Sequence, residues 1–355
     1  IFMTVLAVRA SLFFTLEETL ISQGFDIQFQ LSRAYRTDQL TPLIAANPEI
    51  AHQESWMLSE GVPVHADGSQ GDSLLVYAVP ADTQLLEPML VAGRWLTPDD
   101  TNAVVVPTGF LFAETGIGVG SEITLDIQDD ESTWQVVGIH ELFQPPIAPS
   151  VLYVNQPYFW QEQGGYGRVN VVRMFTREHD AATHQRVAAQ LESVLKANGI
   201  ELQSTRTATE DRVIFTERFN IITVILMFMS FLLAMVGSLG LIGTMSINVL
   251  ERKREIGVMR AIGASTNTVL RIFVAEGVLI GAISWFGALV LAQPMSRIMS
   301  RLVGMTFAKL PLSYVFDLRA PFIWFGIVVM VSGLASYWPA RTAANLTVRE
   351  TLSYE

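Results

Sequence analysis

The chain has 355 residues, half of them hydrophobic and only 16% charged, a net charge of −11 and no cysteine. Soluble globular domains carry about 25% charged residues, so this composition excludes an ordinary soluble protein. The missing thiols exclude a disulfide framework, a Cys-based zinc site and thiol catalysis, and the negative charge argues against nucleic acid as a partner.

The charge is unevenly placed. Residues 11–219 hold 28 acidic and 11 basic residues; the remainder holds 6 acidic and 12 basic. All five histidines (His52, His65, His140, His179 and His184) fall in the acidic part. The pattern is one acidic, water-facing domain and one apolar region with basic punctuation.

In chain order, residues 1–14 are mostly apolar but interrupted by Arg9, and lack the pattern of a signal peptide. They read as the outer end of a first transmembrane helix, truncated at its start. Residues 15–218 read as an α+β domain outside the membrane. Phe25–Leu31 alternates as a half-buried strand, Thr37–Ala46 is a short helix and Ala51–Leu58 a returning strand. A similar unit follows, with a strand at Val169–Phe175, a helix from an Asp180 cap to Ala197, and a strand at Ile200–Ser204. Between them, residues 62–154 form a β-rich insert, with strands at Leu74–Val79, Ala103–Val106, Glu122–Ile127 and Trp134–Ile139. Asp129–Ser132 is a polar turn. Trp56, Trp134, Phe143 and the cluster Tyr158-Phe159-Trp160 are core candidates.

Residues 219–250 contain no charge over 32 positions, more than the roughly 20 a spanning helix needs. Residues 251–267 form a short charged connector. A third span covers 268–296, a connector 297–319, a fourth span 320–340 and a tail 341–355. Pro339 is placed where the last helix should stop.

Motifs of chemistry are missing. There is no phosphate-cradling G-x-x-x-x-G-K-[ST], no H-E-x-x-H and no G-x-S-x-G, so no cofactor, metal or catalytic residue is expected in this chain. His179 and His184, five apart, do not stack on one helical face and read as solvated surface histidines. Asp99-Asp100 and Asp129-Asp130-Glu131 read as solvated turn carboxylates, and Arg94-Trp95 as packing only. Gly237, Gly240 and Gly243 recur every third residue, and Gly277 and Gly281 form a small-x-x-x-small pair. Both sets favour close helix packing, within the chain or with a second copy. Glu276 is expected to pair with Arg271 at the membrane boundary, because an unpaired charge in a span is costly. In the connector, Glu251 and Arg254 have a spacing that pairs on a helix, whereas Glu251 and Glu255 repel. A charged helix at a membrane face suits either docking of a cytosolic partner or a solvated connection.

The stretch Glu251-Arg-Lys-Arg-Glu-Ile-Gly-Val-Met-Arg-Ala-Ile-Gly-Ala-Ser265 resembles the signature of FtsX-like permeases, the MacB-type ABC transporter membrane subunits. Phe273-Val-Ala-Glu276-Gly277 resembles the family's start of the next helix. The tail from Pro339 to Glu355 is similar to the family's ending, departing at Val348, Thr351 and Ser353. The acidic domain resembles, more loosely, a MacB-type periplasmic core, on Gly93-Arg-Trp-Leu and Gly118-Val-Gly-Ser-Glu-Ile.

The resemblance implies a membrane α-helical protein of about four transmembrane helices with an α+β extracytoplasmic domain, either a four-helix permease or half of a longer one. It implies a permease subunit that couples ATP hydrolysis, with ATP and magnesium held by a separate cytosolic ATPase dimer, to movement of the outer domain, for export of a lipoprotein, peptide or antibiotic-like substrate. A second permease copy or half completes the assembly in the bilayer. The ATPase-coupling residues are then Glu251, Arg252, Arg254, Glu255, Ile256, Gly257, Met259 and Arg260. A membrane-anchored receptor, scaffold or cell-wall hydrolase regulator is the alternative, discriminated by whether an ATPase copurifies. Sidedness is weakly signalled: six basic residues flank the spans on each side, and only their density in the short loop favours it as cytoplasmic.

Overall fold

The computed structural model describes residues 1–142, 148–308 and 312–344. The positions of Phe143, Lys309 and residues 345–355, which include most of the expected tail, lie outside the described residues. The chain divides into two compact units: residues 1–12, 219–301 and 313–355, and residues 13–218 with 302–312.

The elements are α1 (Phe2–Ser22), β1 (Ile27–Arg36), α2 (Thr37–Ala45), β2 (Ile50–Val64), β3 (Leu74–Val79), β4 (Met89–Gly93), β5 (Ala103–Pro107), α3 (Thr108–Ala113) and β6 (Glu122–Ile127). They continue as β7 (Asp130–Glu141), β8 (Ser150–Asn155), α4 (Gln156–Gln163), β9 (Arg168–Thr176), α5 (Ala181–Ala197), β10 (Leu202–Thr207), α6 (Ala208–Glu251), α7 (Lys253–Ala261), α8 (Thr266–Ala308) and α9 (Arg319–Ala344).

The α+β unit is built on one path of strands, β10-β1-β9-β2-β3-β8-β5-β7-β4, with β6 pairing both β2 and β7. The strand β2 is long enough to serve two neighbourhoods. Its Ile50–Trp56 segment pairs with β9, and Met57–Val64 pairs with β3 and β6. The expected insert therefore has no hinge at residue 62: the same strand runs into it. It also contains a helix, α3. Helix α4 takes up the aromatic cluster, burying Phe159 and letting the Trp160 indole donate to the Arg168 carbonyl.

The apolar alternation of β1 and the 3.6-residue stripe of α5 meet in one core. Ile27, Phe29 and Leu31 face Val187, Leu191 and Leu195, with Leu40 and Ile44 of α2 closing it. The Asp180 carboxylate accepts from the amides of Ala182 and Thr183, satisfying donors that a helix start leaves unpaired. The hairpin between β6 and β7 turns on Gln128 and Asp129, both with positive φ, while Asp130 and Glu131 belong to the strand. A two-residue turn of this hand matches strand twist, so the turn falls earlier and tighter than the run of acids suggests.

Arg94 has partners as well as packing. Its guanidinium donates to both carboxylate oxygens of Asp100, at 2.6 and 2.7 Å, and to the Trp95 carbonyl. That contact holds the Asp100 carboxyl down at about 2. Arg173 of β9 lies inside the unit, 5% exposed, with its guanidinium over the Trp56, Phe25 and Tyr77 rings and its Nε donating to Gln28. Aromatic faces offset part of the cost of burying that cation.

Among the described residues of the other unit, three helices are long and apolar enough to cross a membrane: α6, α8 and α9. The expected first span, residues 1–14 read as the truncated end of a helix, falls in α1, which is not one of them. Every 18-residue stretch of α1 includes Arg9, Glu17 and Glu18, of which only Arg9 lies within residues 1–14. The spans are longer than charge counting implied. The 44 residues of α6 rise about 66 Å, against a hydrocarbon core of about 30 Å. Helix α8 runs through the start of the expected 297–319 connector to Ala308, with Arg297 over the Tyr314 ring. Helix α9 passes Pro339 and ends at Ala344, so that proline does not stop it. Proline removes one helical hydrogen bond, which neighbouring groups in a bundle can replace.

Candidate functional site

The residues read as an interface lie on and around α7. Helix α6 ends at Glu251, and Arg252 leaves helical geometry at φ −98° and ψ 16°. This break replaces the expected Glu251–Arg254 pair with another: Arg252 Nε donates to Glu255 at 2.9 Å. The far end of α7 closes with the Gly263 amide bonded to the Arg260 carbonyl and the Ala264 amide to the Met259 carbonyl. Gly263 adopts φ +103°, a conformation glycine takes without strain. Ser265 then caps α8 through the Thr268 amide.

One face of α7 is packed. Ile256 and Gly257 are buried, and Ile256 joins Met245, Val249, Val269, Phe273, Ala340 and Ala344, drawn from α6, α8 and α9. Met259 packs at the margin of this cluster. Arg260 donates to Thr266 Oγ1 and to the Ala344 carbonyl. The other face is open: Glu251, Lys253, Arg254, Glu255 and Val258 are exposed, and Ile262 is 82% exposed just past the helix. A groove runs along it, lined by Arg252, Arg254, Glu255, Val258, Met259 and Ile272. The eight residues singled out by sequence thus divide. Ile256 and Gly257, with Met259 at the margin, hold the helix, Arg252, Glu255 and Arg260 are tied into local pairs, and Glu251 and Arg254 face outward. Ile262, an exposed apolar side chain beside them, was outside that set.

Glu276 does not pair with Arg271. Its carboxylate accepts from Asn248 Nδ2 at 2.7 Å and from Arg252 Nη1 at 3.2 Å, joining the end of α6, the start of α7 and α8. Glu276→Ala should leave both donors short of an acceptor and destabilise the protein by about 1 kcal/mol in detergent, read by thermal unfolding. An unchanged melting temperature would remove this clasp from the account.

The glycines also divide. A side chain at Gly277 or Gly281 would run into Ser336 or Ser332 of α9, so these two set the α8–α9 approach. Gly237, Gly240 and Gly243 have no atom within 4 Å of an added Cβ and lie on an unpacked face of α6.

Residues 227–348 match the model described as FtsX-like permease C-terminal. An ABC transporter permease of Methanocaldococcus jannaschii is 27% identical over 270 residues, 74% of this chain and 65% of that protein. A macrolide export ATP-binding/permease protein, MacB, of Rhodopirellula baltica is 31% identical over 121 residues, 34% of this chain and 17% of that protein. The chain thus spans less than two thirds of the length of either relative. Among solved structures, the periplasmic region of MacB from Actinobacillus actinomycetemcomitans aligns at 14% identity and a TM-score of 0.38, over 56% of this chain and 97% of that one. Residues 227–348 are thus similar to the C-terminal part of FtsX-like permeases, and the chain is similar to MacB-type permeases over the same stretch.

Proposed function

We propose that the chain is a permease subunit of an ABC transporter, and that a separate cytosolic ATPase dimer docks on the open face of α7. The observation that carries this reading is the construction of α7. A nine-residue helix is fixed by a buried inner face while presenting both charge signs and the apolar Val258 outward. Such a face suits a partner that must grip and push, with apolar anchors inside a charged rim. In this reading residues 251–267 are cytoplasmic and residues 15–218 extracytoplasmic, α6 carries the movement outward, and ATP and magnesium stay in the partner. A second permease copy or half packs on the open glycine face of α6. The substrate is exported, as the name of the MacB relatives suggests for them.

The test is charge reversal. The Arg252–Glu255 pair is exposed on both sides, and such pairs contribute about 0–1 kcal/mol, so reversing Arg254 and Glu255 together should leave folding intact. ATPase recruitment, or the response of the outer domain to ATP, should be lost. Full ATP-driven output in the double variant would overturn the docking assignment. Sidedness is checked separately, using the absence of native cysteine. Ser69→Cys should react with an impermeant maleimide in whole cells and Ala264→Cys should not; the reverse pattern inverts the topology.

A further inference from the structure

We infer that Asp26, His179 and His184 form a binding site for one divalent transition-metal ion of the zinc class within the α+β unit. The three side chains offer ligand atoms that all lie within 4.8 Å of one another. They come from different parts of the chain. Asp26 directly precedes β1, His179 sits just ahead of the Asp180 cap, and His184 is on the inner face of α5.

The hydrogen bonding at Asp26 is lopsided. Its Oδ2 accepts from the Thr176 amide at 2.8 Å, the Thr176 hydroxyl at 2.9 Å and His179 Nδ1 at 2.7 Å. Its Oδ1 lies 3.3 Å from His184 Nε2. That contact is not a hydrogen bond: His184 is 1% exposed, and its Nε2 is buried without a hydrogen-bond partner. A buried polar atom left unpaired is costly, and native structures seldom keep one without a use. The other ring nitrogen is engaged, with His184 Nδ1 3.3 Å from Thr209 Oγ1. When Nδ1 carries the proton toward that hydroxyl, the Nε2 lone pair is turned toward a carboxylate oxygen. Two acceptors facing each other in a buried space call for a cation between them. An outer hydrogen bond of this kind is also how metal-bound histidines are oriented.

The distances suit a small ion. Ligand atoms about 2.0–2.1 Å from a tetrahedral zinc lie about 3.3–3.4 Å apart, matching the separation of His184 Nε2 and Asp26 Oδ1. Two imidazoles and one carboxylate are a borderline donor set that selects zinc-like ions over calcium or magnesium. The His179 side chain is 62% exposed, which gives the ion a way in and leaves water as a fourth ligand. Bound there, the ion would staple the start of β1 and the end of β9 to α5 and, through Thr209, to the first turn of α6. The site belongs to the other compact unit and does not depend on the function proposed for α7.

The test uses the full chain in detergent, purified on a histidine-free affinity tag and stripped with a chelator. Zinc titration followed by calorimetry should show one equivalent bound at micromolar or tighter affinity. Cobalt substitution should give the visible ligand-field bands of a four-coordinate ion. His179→Ala, an exposed change that spares the core, should weaken zinc at least about tenfold, in line with the cost of losing even a ligand's orienting partner. Asp26→Asn should do the same, and His65→Ala should leave affinity unchanged. Absence of zinc binding, or binding equal in wild type and His179→Ala, would overturn the site.

Discussion

Gly277→Leu should separate α8 from α9 and cost more than about 3 kcal/mol, the upper range for overpacking a filled contact. An added Cβ at Gly277 would lie 1.7 Å from the Ser336 hydroxyl oxygen and 2.6 Å from its Cβ. Ser336 is fully buried and cannot swing out to solvent. The same geometry holds one turn on, where a Cβ at Gly281 would lie 2.6 Å from Ser332 Oγ and 2.9 Å from its Cβ. Relief must therefore come from moving a helix. Unfolding in detergent micelles, followed by circular dichroism, measures the effect. Combining Gly277→Ala with Ser336→Gly should recover much of what Gly277→Ala alone loses, because the clash is with one side chain. Gly240→Ala provides the contrast: open space surrounds that position, so the isolated chain should be no less stable. A melting temperature for Gly277→Leu equal to wild type would sink the packing assignment.

The second expected result is acid sensitivity set by His140. This β7 residue is 2% exposed, beside the Tyr153 ring, with Nε2 3.4 Å from the Val151 carbonyl. Burial lowers it from the ordinary 6.5 to about 4. The folded form thus holds the neutral ring, and below 6.5 the unfolded chain binds a proton that the folded chain does not. Stability is fully present above 6.5 and is lost as pH falls from there toward 4, by about 3 kcal/mol. Other shifted groups occupy different windows. The Asp100 contribution is lost only as pH falls from 3.8 toward about 2. His65, raised by its hydrogen bond to Glu114, works in the opposite sense and adds stability as pH falls. The diagnostic is therefore a difference. Wild type minus His140→Leu should slope between pH 6.5 and 4.5, measured by denaturant unfolding of the α+β unit's tryptophan fluorescence. Parallel pH profiles for the two proteins would refute the assignment.

The histidines show where one-dimensional spacing stops being informative. His179 and His184 are five apart, and on a helix that places them on different faces. The reasoning fails because His179 is not on the helix: α5 begins after Asp180, and the loop ahead of it swings His179 back to Asp26. The same five-residue spacing explains Glu276. On one helix Arg271 and Glu276 lie about 140° apart, so they cannot meet, and a residue from another element, Arg252, takes the place. The charged side chain of Arg173 carried no signal in a strand of apolar neighbours. Only the layer of Trp56, Phe25 and Tyr77 over it shows that it is inside.

The sequence by itself determined the features that depend on neighbours along the chain. The apolar spans from residues 219, 277 and 320 follow from uninterrupted lack of charge, and α5 follows from its cap and its periodic apolar face. The α+β character of residues 15–218 was legible from alternation and turn residues in the same way. The tertiary structure decided which charges meet, which glycines are filled against and how far each helix continues. The clasp at Glu276 and the crowding at Gly277 join residues 24 or more positions apart. Their energies depend on distance in space, and local pattern carries no record of that until the chain has folded.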